Sequence, residues 1–213
     1  MIKAILFDLD GTIHDSRAVV FDCVEKTFST FGFAVPTKAA IVAEVYAGSE
    51  HLFSRLAPAE HAPEMLAHFR DIYKIEQSKI VPYQSAQKVL SQLHADGYKL
   101  GVVSSARAAE QFIHAHGLAD FFDVIVGGNT TKMHKPHPEP VHFALKSLGF
   151  PPEQAVIVGD LPADIEAGRN AGLRASIAIA HGFGARHTLE QSKPDYFVDG
   201  LDELYDLISE GLK

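Results

Sequence analysis

The sequence predicts an α/β fold: a doubly wound parallel sheet core into which a smaller helical domain is inserted. Three observations carry that expectation. Five short apolar runs recur along the chain: "IKAILF" (2–7), "YKLGVV" (98–103), "DVIVGG" (123–128), "AVIVGD" (155–160) and "RASIAIA" (174–180). Both faces of each run are apolar, as strands covered by helices on two sides require. Helical patterns closed by glycine separate the later runs, and residues 15–81 contain no convincing strand pattern.

Composition bounds what such a fold can do. The chain has 213 residues with 46% hydrophobic and 22% charged, enough apolar material for a sizeable core. Nineteen basic against 27 acidic residues give a net charge of −8, which argues against broad binding to nucleic-acid backbones. It leaves room for a small anion gripped by a few local cations. A lone cysteine, Cys23, excludes an internal disulfide and fits a reducing compartment. No apolar run approaches the roughly 20 residues of a membrane span, and the first run stops at Asp8, too early for a signal peptide. A cytoplasmic protein with no membrane or nucleic-acid partner is expected.

Taken in order, the elements support the domain division. The run at 2–7 opens the core. Residues 15–81 then show helical patterns at roughly 16–31, 37–47, 50–57 and 62–79, divided by "FGFAVPT", "AGSE" and "APAEHAP". That stretch is too long for a crossover and too patterned for a loop, so it reads as an inserted helical domain, with 1–14 and 82–213 forming the core. The core resumes with "QSAQKVLSQLHADGY", apolar at helical spacing and stopped at Gly97. "PEPVHFALKSLGF" starts on prolines and stops at Gly149, and "LPADIEAGRNAGL" starts on Pro162 and ends before Gly172. The aromatics of "FSTFGF" read as core of the inserted domain.

The chemistry-bearing residues collect at strand ends. In open parallel sheets ligands bind beyond the carboxyl ends of the strands. There "FDLDGT" puts Asp8 and Asp10 on one face, about 6.5 Å apart, where they would repel by roughly 2–3 kcal/mol at an effective dielectric near 20. "VGDLPAD" adds Asp160 and Asp164 at another strand end. A single aspartate there is an ordinary helix cap, but two strand-end acid pairs point to a shared divalent cation, and hard oxygen ligands suit Mg²⁺. "VVSSARAAE" offers Ser104 and Ser105 where a strand hands over to a helix, a place for capping or for an anion. "TTKMHKPHPEP" offers Lys135, with Lys132 as its nearest rival. A metal, hydroxyls, a lysine and spare carboxylates together describe a phosphoryl site, and a carboxylate can itself attack phosphorus.

These motifs resemble those of the haloacid dehalogenase superfamily, in its branch of phosphatases with a helical cap. "FDLDGT", the serine after "LGVV", "KPHPEP" and "VGDLPADIEAGRNAGL" match the four family motifs in order and spacing. The resemblance implies that Asp8 is the nucleophile and touches Mg²⁺. Asp10 would be the general acid–base, with its backbone carbonyl on the metal, and Asp160 the remaining protein ligand. Ser104, aided by Ser105, and Lys135 would hold the phosphoryl group, with Asp164 in support. Gly11 and Thr12 would shape the turn and offer N–H donors. An acid at position 10 excludes the dehalogenases, which need no leaving-group proton.

Some positions depart from relatives similar to phosphoglycolate phosphatase. Ser105 stands where asparagine is frequent, Leu161 where serine is, and Gln84 and Ser85 follow "VPY" where glycine is usual. None removes a group the chemistry needs. The expected substrate is a small phosphorylated metabolite. Pyrophosphate is the first alternative, on the likeness of "KPHPEP" to pyrophosphatases of the branch. An isomerase resembling β-phosphoglucomutase is the second, disfavoured by Gly159 where the mutase has an acid. A non-catalytic phosphate-binding protein is the third, disfavoured by the complete set of acids. Cap candidates for substrate choice are Arg17 and, around Gly48, Ser49, His51 and Arg55.

Overall fold

The computed structural model describes residues 1–212. The chain forms two compact units, one of Met1–His14 with Pro82–Lys213 and one of Asp15–Val81. Strand β1 (Ala4–Phe7) begins the larger unit. The chain leaves it at the two-residue strand β2 (His14–Asp15) and returns at β3 (Val81–Pro82).

The smaller unit is helical throughout: α1 (Arg17–Thr30), α2 (Lys38–Glu44), α3 (Ser49–Leu56) and α4 (Ala62–Glu76). Thr37 caps α2, its hydroxyl accepting from Ala40 N–H at 3.2 Å. An aromatic core holds the helices together. Phe28 stacks on Phe53 at 6.0 Å between centroids, and Phe53 packs on Phe69 at 5.1 Å. Met65, Leu52 and Ile41 complete it. Of the "FSTFGF" aromatics, Phe28 lies in this core, while Phe31 and Phe33 are half-buried against His68 and His61.

The larger unit is built on a six-stranded parallel sheet. To β1 are added β4 (Lys99–Val103), β5 (Val124–Val126), β6 (Ala155–Gly159), β7 (Ala175–Ile179) and β8 (Tyr196–Val198), in the order β5-β4-β1-β6-β7-β8. All residues of β1, β6 and β7 are buried, which is why these strands read as unbroken apolar runs. Helices α5 (Ala86–Ala95), α6 (Ala109–Ala115), α7 (Glu139–Leu148), α8 (Pro162–Asn170), α9 (Arg186–Gln191) and α10 (Leu201–Ser209) follow the later strands. Helix α7 ends on Gly149 at φ 77°, the left-handed stop that glycine reaches without strain. Strand β8 is absent from the sequence reading. Its three residues, flanked by Asp195 and Asp199, are too few to show a period.

Candidate active site

The centre of the sheet positions the site. β1 pairs with β6 in register from Ala4–Ala155 to Phe7–Val158, and Asp8 N–H still donates to the Val158 carbonyl at 2.9 Å. Asp8 and Asp160 therefore leave the sheet from neighbouring strand ends. On the other side of β1, Ser104 follows β4 directly, and its N–H donates to the Val126 carbonyl at 2.9 Å. Strand order thus gathers residues as far as about 150 positions apart in the chain.

Lys135 is the hub. Its Nζ donates to Asp8 Oδ1 at 2.6 Å and to Asp164 Oδ1 at 2.5 Å. Asp164 also accepts the Leu161 N–H on Oδ2 at 3.0 Å, so it caps α8 and pairs with the lysine at once. Lys132, the rival from the same loop, is exposed, with its N–H turned to Glu139 at 3.5 Å. Asp160 is held at both oxygens. Thr12 Oγ1 donates to Oδ1 at 3.0 Å, and Phe183 N–H donates to Oδ2 at 2.7 Å. Relative exposures of 7% for Asp8, 4% for Lys135, 0% for Asp160 and 1% for Asp164 take the cluster out of bulk water.

Burial and charge count set the electrostatics. Three carboxylates face one ammonium. Burial pushes the Asp8 carboxyl up to about 7, against the pull of Lys135, while Asp164 and Asp10 push it further. Burial, with Asp8 and Asp164, raises Asp160 well above the ordinary carboxylate range despite its two donors. Burial works against the Lys135 ammonium, yet Asp164 and Asp8 outweigh it and hold its pKa above the usual value. The cluster is short of positive charge.

That shortfall fits a metal. Among the described residues, Asp8, Asp160 and Asp164 each offer a carboxylate oxygen, all within 4.8 Å of one another, and all three residues are buried. Hard oxygen donors with a negative excess suit a divalent cation of the Mg²⁺ type. Asp10 is not in that carboxylate group. It is half-buried, with its backbone bridged to His14 in the turn after β1.

The remaining residues named from the sequence have other surroundings. Ser104 Oγ accepts from Ala106 N–H at 3.0 Å, a local turn bond rather than a helix cap, because α6 begins only at Ala109 with Ala108 at its N-cap. Ser105 is half-buried, and its carbonyl lies so close to Gly128 that a Cβ there would overlap it. Gly11 sits at φ 91°, and a side chain on it would overlap Asp160 Oδ2. The Gly11 N–H donates to His14 O at 2.8 Å and the Thr12 N–H to Leu9 O at 3.3 Å. Both amides thus donate within the turn, which leaves the expectation of a phosphate-facing pair without support. Within the smaller unit, His51 Nε2 lies 2.8 Å from Glu44, Arg55 Nε 3.8 Å from the same carboxylate, and Ser49 Oγ donates to Glu50 at 3.4 Å. Arg17 is exposed.

One segment of the site lies outside the sequence motifs, "HGFG" (181–184) after β7, which supplies the Phe183 amide to Asp160. A pair of glycines at a strand's carboxyl end was its legible signal.

Comparison with known proteins agrees with this geometry. Residues 5–178 match the family model of haloacid dehalogenase-like hydrolases. The chain belongs to that family, and it is an enzyme. It is 30% identical over 210 residues to the pyrophosphatase PpaX of Halalkalibacterium halodurans, covering 97% of each chain. It is 35% identical over 182 residues to the phosphoglycolate phosphatase of Aquifex aeolicus, covering 84% of this chain and 85% of the relative. Among solved structures, a haloacid dehalogenase-like hydrolase from Streptococcus pneumoniae superposes with a TM-score of 0.85 at 27% identity, covering 97% of this chain and 98% of the other. Among the described residues, no helix is long and apolar enough to cross a membrane.

Proposed function

We propose that this protein is a Mg²⁺-dependent phosphatase that hydrolyses a small phosphorylated metabolite through an aspartyl-phosphate on Asp8. The observation that carries the reading is the buried Lys135 ammonium bridging Asp8 and Asp164, with Asp160 beside them and the cluster still short of positive charge. A phosphoryl dianion approaches such acids only where added positive charge offsets their repulsion. Asp8, Asp160 and the Asp10 carbonyl would hold Mg²⁺, which would supply positive charge to nucleophile and phosphoryl oxygens alike.

The protein's own groups account for the rest. An Asp8 oxygen bonds to phosphorus as the bond to the leaving oxygen breaks, and Asp10 gives that oxygen its proton. Asp10, now a carboxylate, takes a proton from water as the water oxygen attacks the phosphorus. The Asp8–phosphorus bond breaks and inorganic phosphate leaves. Lys135 neutralises charge throughout, and the Ser104 hydroxyl, whose oxygen already accepts from Ala106, has its proton to give a phosphoryl oxygen. Gly11 shapes the turn beside Asp160, and the Thr12 hydroxyl holds that acid.

The phosphoglycolate phosphatase of A. aeolicus supports a carbon-bound phosphate as substrate. Pyrophosphate is the second reading, favoured by PpaX, which matches over 97% of both chains. The isomerase alternative is disfavoured by Gly159, which stands where the mutase has an acid. The test is phosphate release from phosphoglycolate, pyrophosphate and sugar phosphates, with Mg²⁺ and then with chelator. Turnover of one class, abolished by chelator, is expected; chelator-resistant turnover overturns the reading.

A further inference from the structure

We propose that His181 is a positioning residue for the Asp160 carboxylate, fixing the metal-facing geometry of that acid from a loop beyond the four sequence motifs. The inference rests on the reading that the acid cluster takes a divalent cation.

Two neighbouring carbonyls in the turn after β1 are each held from outside the turn. His181 Nε2 lies 3.0 Å from the Thr12 carbonyl oxygen. A carbonyl only accepts, so Nε2 carries the proton and the imidazole is a donor at that atom. Tyr83 holds the next carbonyl, its N–H donating to Ile13 O at 2.9 Å. The two side chains are locked to each other. Their rings stack at 3.8 Å between centroids and 20° between planes, and the Tyr83 hydroxyl donates to the His181 carbonyl at 3.2 Å. His181 Nδ1 faces Gly200, 3.7 Å from where a Cβ on that residue would sit.

The consequence falls on Asp160. Thr12, gripped at its carbonyl by His181, donates its hydroxyl to Asp160 Oδ1. Phe183, two residues after His181, donates its N–H to Oδ2. Side chains on Gly182 or Gly184 would overlap Asp160 itself, so the loop lies directly against the acid. One segment therefore fixes both carboxylate oxygens, one directly and one through Thr12. Hydrogen bonds behind a metal ligand commonly change affinity by about 10–100-fold.

The test reads Mn²⁺ binding, as loss of the free-ion paramagnetic resonance signal, on the full chain without substrate. Three variants separate donor from bulk. His181→Gln keeps an amide nitrogen where Nε2 was, His181→Asn places one where Nδ1 was, and His181→Ala removes both. His181→Ala and His181→Asn are expected to weaken Mn²⁺ binding about 10–100-fold, while His181→Gln stays within about threefold of the parent. Circular dichroism checks folding, and if the alanine variant does not fold, the Gln/Asn contrast decides. Equal Mn²⁺ affinity in Asn and Gln variants overturns the positioning role. No Mn²⁺ binding by the parent overturns the metal reading and this inference with it, whereas parental binding with indifferent variants overturns this inference alone.

Discussion

Charged side chains occur in both units, yet they do different work. In the smaller unit several pairs lie in the open: Lys26 and Asp22 keep 45% and 48% of their side-chain surface, Arg70 and Glu50 46% and 42%. Their pairs follow helix spacing or bridge neighbouring helices. Water screens them, and each is nearly neutral as a pair. In the larger unit Asp8, Lys135, Asp160 and Asp164 come from three separate segments, are buried, and do not balance. The contrast teaches that burial with unequal charge, rather than the presence of ion pairs, marks the place where a ligand is needed.

Asp8→Asn attacks that contrast at its strongest point. It removes the nucleophile while keeping the shape, and turnover should fall by at least about 10³-fold. Release of phosphate under saturating Mg²⁺ measures it, and near-parental turnover would remove Asp8 from the chemistry.

Lys135→Ala comes next. It leaves Asp8 and Asp164 without their ammonium and should cost about 3–5 kcal/mol in urea unfolding near neutral pH. The sign with pH is fixed. Carboxyls raised further in the folded state favour protonation there, so the loss should grow as pH rises and shrink on acidification. An equal loss at pH 5 and pH 8 would show that packing, not charge, is what Lys135 supplies.

His14 sharpens the comparison with a buried group of a third kind. It is fully buried, with no hydrogen-bond partner at either ring nitrogen among the described residues, and packs edge-on to His116 at 4.9 Å. Burial, then His116, lowers its pKa from 6.5 to about 4. The unfolded chain binds this proton below pH 6.5 and the folded one does not. Its share of stability is therefore present above pH 6.5 and is lost as pH falls toward 4, up to about 3 kcal/mol. In His14→Leu the acid-side decline between pH 6.5 and 4 should flatten relative to the parent. Superimposable pH profiles of unfolding would contradict it.

The smallest effect belongs to the smaller unit. Arg70→Ala, breaking the exposed pair with Glu50, should shift stability by less than about 1 kcal/mol, and by less again at high salt. A loss comparable to that of Lys135→Ala would erase the distinction between the two kinds of ion pair.

Much of this was legible beforehand, and for identifiable reasons. The strands at 4–7, 99–103, 155–159 and 175–179 show because two-sided burial demands unbroken apolar residues. The acids show because Asp8 and Asp10 have no joint capping use, and "VGDLPAD" repeats the strand-end pattern. Lys135 ranks above Lys132 by its place directly before Pro136 in the loop after the third strand, near the acids' sheet edge, although burial is invisible in a loop. The Gly11 and Thr12 amides were read outward, although local turn bonds claim them. The "HGFG" segment went unread because its contact with Asp160 spans more than 20 residues of chain and no periodicity announces it.

The chain's own order of residues thus determined which chemistry is available: apolar runs for a covered sheet, and carboxylates, a hydroxyl and a lysine at strand ends. Only the tertiary structure decided how those groups are shared. It gave one lysine to two acids, put Thr12 and Phe183 on the two oxygens of Asp160, and sealed the group from water. The reason is physical: periodicity is a local property that sequence carries, whereas charge balance and burial depend on which distant strand ends the sheet order makes neighbours.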